Sequence, residues 1–206
     1  RLVNKYGDDA YRYFVKYGRE GYYLVFDFGD SVIGIVISGG DDAFRNLVNV
    51  SDNFSLEIAG WLSEYGDEVI GVCARYGDDG ARALSKGIGP DLINRLADYG
   101  IVPSQYGRYN IVSGDVAEKV AEAIEAGSKL KTFTKLEDAL TCIRGVAVDA
   151  LDGGSLTRLI GEVDGTAFNL AERATLKSEI LKKAGFTNFD KTGTLAEGLS
   201  IYLCKL

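Results

Sequence analysis

Residues 145–165 read GVAVDALDGGSLTRLIGEVDG, and the reading of this stretch sets the fold class. Asp152-Gly153-Gly154-Ser155 is a cluster of turn formers between two apolar runs, Gly145–Leu151 and Leu156–Val163. Glycine reaches the positive φ that tight hairpin turns require, so the pattern predicts two strands joined by a two-residue turn. Outward from it, Asp115-Val116-Ala117-Glu118 and Thr134 with Glu137 have the form of capping boxes. The first opens a helix to Ala126, stopped by Gly127; the second opens a helix to about Cys142. Lys129–Phe133 alternates as a short strand, Asn169 caps a helix that reaches Ala184 before Gly185, and Leu199–Leu206 is a final apolar strand. The order α-β-α-β-β-α-β predicts a small mixed sheet flanked by helices.

The first half of the chain carries a different pattern. Tyr6-Gly7-Asp8-Asp9, Tyr17-Gly18, Phe28-Gly29-Asp30, Gly40-Asp41-Asp42, Tyr65-Gly66-Asp67 and Tyr76-Gly77-Asp78-Asp79 repeat one template. Gly7, Gly18, Gly29 and Gly40 fall at eleven-residue steps, Ser51 takes the next, and the beat resumes at Gly66, Gly77 and Gly100. Such self-similarity predicts stacked structural units. Asp8 or Asp9 suits a helix N-cap, and Gly18 suits the left-handed residue that ends a helix. Helices this short need neighbours, because nucleation is costly. Eleven residues also match three turns of a right-handed supercoil, but a glycine in every unit argues for broken helices. Lys86-Gly87-Ile88-Gly89-Pro90 lacks a GK[ST] ending and reads as a helix-to-helix turn. The prediction is therefore α+β overall: an all-α array over residues 1–103, a linker over 104–114, and an α/β domain over 115–206.

Composition narrows the chemistry. The chain of 206 residues has no histidine, which removes Ser-His-Asp and Cys-His catalysis and HExxH zinc chemistry. Cys73, Cys142 and Cys204 lack metal-ligand spacing and read as free thiols; a thiol enzyme using Cys142 or Cys204 would have no histidine to activate it. Ten basic and sixteen acidic residues precede position 104, and thirteen and fourteen follow, so neither half is a basic nucleic-acid binder by charge. Tyr22 to Ser38 is the most apolar stretch, but Asp27 and Asp30 interrupt it, which predicts a buried element with no membrane span. The chain has no methionine, so Arg1 is expected not to be a native start.

Candidate chemistry lies on the predicted hairpin, which carries Asp149 on its first strand and Glu162 and Asp164 at the end of its second. Carboxylates on adjacent strands are hard oxygen ligands for Mg²⁺. Leu159-Ile160-Gly161-Glu162-Val163-Asp164-Gly165 resembles the E-x-K or E-x-D-G element of restriction-endonuclease-like, or PD-(D/E)XK, nucleases. That resemblance implies a metal held by Asp149, Glu162 and Asp152, with Asp164 and Lys177 assisting catalysis. Asp164 stands where that family has its lysine, and Lys177 is the helix-borne alternative. With Gly153 and Gly154 as a two-residue turn, Asp149 and Glu162 share a face but lie on the order of 13 Å apart, so one metal needs a bulge or a longer turn. Lys129, Lys131 and Lys135 are candidate contacts to nucleic-acid phosphates.

The repeat units are similar to YGD-type helical repeats of polymorphic toxins. This implies a secreted or surface-delivered protein with a C-terminal effector, cleaving nucleic acid, and a protein partner or immunity protein. The competing expectation is a non-catalytic interaction module, because an acidic repeat rich in tyrosine suits protein contact.

Overall fold

A computed structural model describes residues 2–106 and 113–186. Among these residues the fold is all-α, with no strand. The helices are α1 (Leu2–Tyr6), α2 (Asp8–Phe28), α3 (Val32–Tyr65), α4 (Glu68–Ser85), α5 (Pro90–Asp98), α6 (Gly114–Lys129), α7 (Leu136–Gly145), α8 (Gly153–Asp164) and α9 (Leu170–Lys183). The described residues up to Tyr106 and those from Asp115 onward belong to two compact units.

In the first unit, α2, α3 and α4 are chains of shorter helices. Gly18 (φ 53°, ψ −130°), Gly40 (φ 71°, ψ −157°) and Gly77 (φ 55°, ψ −139°) interrupt them. Gly7, Gly29 and Gly66 adopt related conformations between helices. Positive φ with extended ψ is open in practice to glycine alone, because a Cβ would collide with the backbone. The glycine beat therefore writes the junctions directly. Where Ser51 replaces glycine, the helix runs on, and the next departure comes at Phe54 with φ negative. The junction also differs from the expected left-handed cap, since ψ is extended rather than helical. Gly87 and Gly100 do end their helices in Schellman fashion: Ile88 N–H donates to the Ala83 carbonyl, and Ile101 N–H to that of Leu96.

The aspartates of the template are latches rather than caps. Gly7 occupies the N-cap of α2 and no side chain caps it; Asp8 and Asp9 lie in the first turn. Where an aspartate directly follows a later junction glycine, it accepts from an earlier unit. Asp30 accepts from Lys5 at 3.0 Å, Asp41 from Tyr17 at 2.8 Å, Asp67 from Ser31 at 2.5 Å and Asp78 from Asn53 at 2.8 Å. Lys16 pairs with Asp41 at 2.6 Å and holds that carboxyl below its ordinary range, helped by the Tyr17 hydroxyl. The aromatic before the junction packs across units as well: Tyr17 stacks on Phe44 with ring centroids 4.0 Å apart. Buried Tyr13 donates to the Gly21 carbonyl at 3.0 Å, closing α2 on itself across Gly18.

The second unit corrects the expected sheet. Leu156, Leu159, Ile160 and Val163 are all buried on α8, and their spacing of three, one and three residues is a helical stripe. An alternating strand would have placed Arg158 and Glu162 on the face shared by Leu156 and Ile160. Asp152-Gly153-Gly154-Ser155 is the start of that helix: the Asp152 carboxylate accepts from the N–H groups of Gly154 and Ser155, each at 2.9 Å. The two supposed turn glycines are thus the first helical residues after an N-cap. The stretch read as the first hairpin strand holds the end of α7 and a 3₁₀ turn, Val148–Ala150. The Lys129–Phe133 strand is likewise the end of α6 and a 3₁₀ turn, Leu130–Thr132. The expected strand Leu199–Leu206 lies outside the described residues.

Two further glycine and cap readings change. α6 runs through Gly127, whose missing Cβ would lie 2.4 Å from Leu159 Cδ1, so this glycine is a packing notch between α6 and α8 rather than a stop. No side chain caps α7; Thr134 falls before its start. Asn169 does cap α9, in a reciprocal box with Glu172. Leu130, Ile143, Leu159, Val163, Leu176 and Ile180 are fully buried and anchor the core of this unit.

Candidate interaction surface

The residues proposed for chemistry are placed by helices, and most are engaged. Asp149 lies exposed on the 3₁₀ turn before α8. Asp152 is half-buried and spends its carboxylate on the helix N-terminus, also accepting from the Ser155 hydroxyl at 3.3 Å. Burial raises its pKa, opposed by these hydrogen bonds. Glu162 pairs with Lys131 at 2.6 Å. Asp164, the last residue of α8, pairs with Lys177 of α9 at 2.6 Å. Lys129 pairs with Glu125 at 3.0 Å, one turn away on α6. Lys135 occupies the N-cap position of α7 and is exposed.

Among the described residues no three Cys, Asp or Glu side chains gather as a metal group would. The hairpin that would have brought Asp149 and Glu162 onto neighbouring strands is replaced by a turn and a helix. Lys183 donates to the carbonyls of Arg144 at 2.7 Å and Val146 at 2.6 Å, and so satisfies the C-terminal end of α7. Burial pushes the Cys73 thiol up to about 12, which leaves it an inert core side chain at neutral pH. Cys142 is shifted in the same direction by burial. Cys204 lies outside the described residues.

What stands out instead is an aromatic face on α2. Tyr11 is 69% exposed, Val15 66%, Tyr22 66% and Phe26 87%, with Tyr23 beside them. The repeat explains their positions, since Tyr11 and Tyr22 are each the fourth residue after a junction glycine, and Val15 and Phe26 each the eighth. Phe14 and Tyr22 rings approach to 4.8 Å across Gly18, so the two halves of α2 carry this face together. Arg19 donates to the Tyr23 hydroxyl from Nε at 2.9 Å and orders that ring. An aromatic in the repeat reads equally as core or as surface, so its outward side is not visible from residue type alone. The signal available was at the fourth position along the array, where Tyr11 and Tyr22 carry a hydroxyl and Ile33, Phe44, Ile70 and Ala81 do not.

An open groove of about 840 Å³ runs along α3 and α4 of the same unit, floored by small residues such as Gly34, Ala43, Gly71 and Ala74. Asp42 and Arg75 stand among its lining residues, and Asp42 is already paired with Arg45. No helix among the described residues is long and apolar enough to cross a membrane. No family model, no curated protein and no solved structure matches the chain.

Proposed function

We propose that this chain is a non-catalytic protein-interaction module built on a helical repeat. The observation that carries the reading is the α2 face, where three tyrosines, a valine and a phenylalanine stand in solvent on an ordered helix. Patches of large apolar side chains on a folded surface mark contact sites, because covering them removes apolar area from water. Tyrosine suits such contact, offering a rigid ring with few torsions and a polar tip.

The second unit supports the reading from the other side. Asp152 closes a helix end, Glu162 pairs with Lys131 and Asp164 with Lys177, and the described residues of this unit form no sheet of the kind the nuclease resemblance implied. The experiment is a cleavage assay of the full chain on single- and double-stranded DNA and RNA with Mg²⁺. All four substrates are expected to stay intact. Metal-dependent cutting that disappears in Glu162→Ala would overturn the proposal.

A further inference from the structure

We propose that a cavity between the end of α4 and the 3₁₀ turn Pro103–Gln105 binds inorganic phosphate. The cavity has a volume of about 240 Å³. One wall is Asp79, Arg82, Ala83 and Lys86, spaced at i, i+3, i+4 and i+7 and therefore on one face of α4 and its C-cap. Ala83 is buried and small, which leaves room between its polar neighbours. The other wall is Pro103, Ser104 and Tyr106. The Gln105 side chain accepts from the Val102 N–H at 2.9 Å, and the Tyr106 N–H donates to the Pro103 carbonyl at 3.1 Å. The turn that carries Ser104 and Tyr106 is thus fixed before a ligand arrives.

Tyr106 and Lys86 carry the argument. Tyr106 is 2% exposed, and its hydroxyl is buried without a hydrogen bond, a state that folded proteins rarely leave unmatched. Burial raises its pKa, so the hydroxyl keeps its proton and serves as a donor. Lys86 is exposed and has no ion pair among the described residues. Arg82 is engaged, with Asp79 at 3.0 Å and Asp78 at 3.9 Å. The walls therefore carry two cations against one carboxylate, and the charge left over is that of Lys86. A buried hydroxyl donor and an unmatched ammonium suit an oxyanion, because hydrogen bonds to an ionised acceptor are the strong ones. Asp79 decides which oxyanion. At neutral pH inorganic phosphate still carries a hydrogen that it can donate to a carboxylate. Sulfate carries none, and a phosphate monoester has mostly lost its own, so both meet repulsion there.

The test is isothermal titration calorimetry of the full chain at neutral pH and one ionic strength, with inorganic phosphate, sulfate and glycerol 3-phosphate. Phosphate should saturate one site, and the other two should bind more weakly. Lys86→Gln, at an exposed position, should weaken phosphate about tenfold, the loss of one charge-assisted hydrogen bond. Tyr106→Phe should weaken it too, with stability to urea no lower, because the hydroxyl removed has no partner in the free protein. Asp79→Asn should bring sulfate up to the affinity of phosphate, a change that a merely structural carboxylate would not produce. Circular dichroism checks that each variant keeps its helices. Absence of saturable phosphate binding, or binding that Lys86→Gln and Tyr106→Phe leave unchanged, would overturn the inference. So would sulfate or the ester bound as tightly as phosphate by the unaltered chain.

Discussion

In the first unit Gly18, Gly40 and Gly77 sit at positive φ and break helices, whereas in the second Gly127 and Gly161 lie inside α6 and α8. The same residue type does unlike work because different things require it. A junction glycine is required by its own backbone, a local property that recurs with the repeat. Gly127 is required by Leu159, thirty-two positions away in the sequence, and Gly161 meets nothing within 4 Å. Periodic glycine is thus a statement about backbone, while scattered glycine says nothing until its neighbours are known.

The most damaging way to break this comparison is Gly77→Ala. The added Cβ enters a conformation closed to it and meets the Asn46 side-chain oxygen at 3.2 Å. It is expected to cost about 3 kcal/mol, read from urea unfolding by the fluorescence of Trp61, the single tryptophan, which lies in this unit. A loss below the error of the melt would mean the junction is not built on positive φ. Next comes Gly127→Val, which drives atoms into Leu159 and should cost about 2 kcal/mol by overpacking, seen as faster amide exchange in α6 and α8. Unchanged exchange would remove the notch from the account. Gly161→Ala should move the other way, stabilising α8 by about 0.5–1 kcal/mol, since an open helical site gains only propensity.

Acid sharpens the comparison at the smallest scale. Asp41 has a folded pKa below its ordinary 3.8 because Lys16 and Tyr17 hold it. Its contribution is complete above that value and is lost as pH falls through the folded pKa. Asp152 has a folded pKa raised by burial, so its contribution is complete below 3.8 and is lost as pH rises through the folded pKa. Asp41→Asn should therefore flatten the acid limb of Trp61-detected stability below pH 3.8. Asp152→Asn keeps a capping oxygen and should flatten the decline of second-unit exchange protection above it. Reversed limbs would show that the two carboxylates have been assigned the wrong environments.

Legibility followed range along the chain. The broken helices of the first unit were readable from Gly7, Gly18, Gly29 and Gly40, and so was the Asn169–Glu172 box, because each rests on contacts within a turn. The all-α fold of the second unit's described residues was not. Asp152-Gly153-Gly154-Ser155 fits a hairpin turn and a helix start equally well, and Leu156–Val163 is short enough to suit strand or helix. The geometry expected of the nuclease site was inferred from that hairpin, which the described residues replace with a 3₁₀ turn and a helix.

By itself, then, the sequence determined where the backbone of the repeat must turn, through glycine's freedom at positive φ, and that histidine chemistry is closed to this protein. Only tertiary structure decided what the template's aspartates hold, because their partners lie 24 to 36 residues back. It also decided which face of residues 156–163 is buried, and that Tyr11 and Tyr22 stand outside while Ile33 and Ile70 at the same repeat position do not. Burial is a property of what packs against a side chain, and no residue carries that information alone.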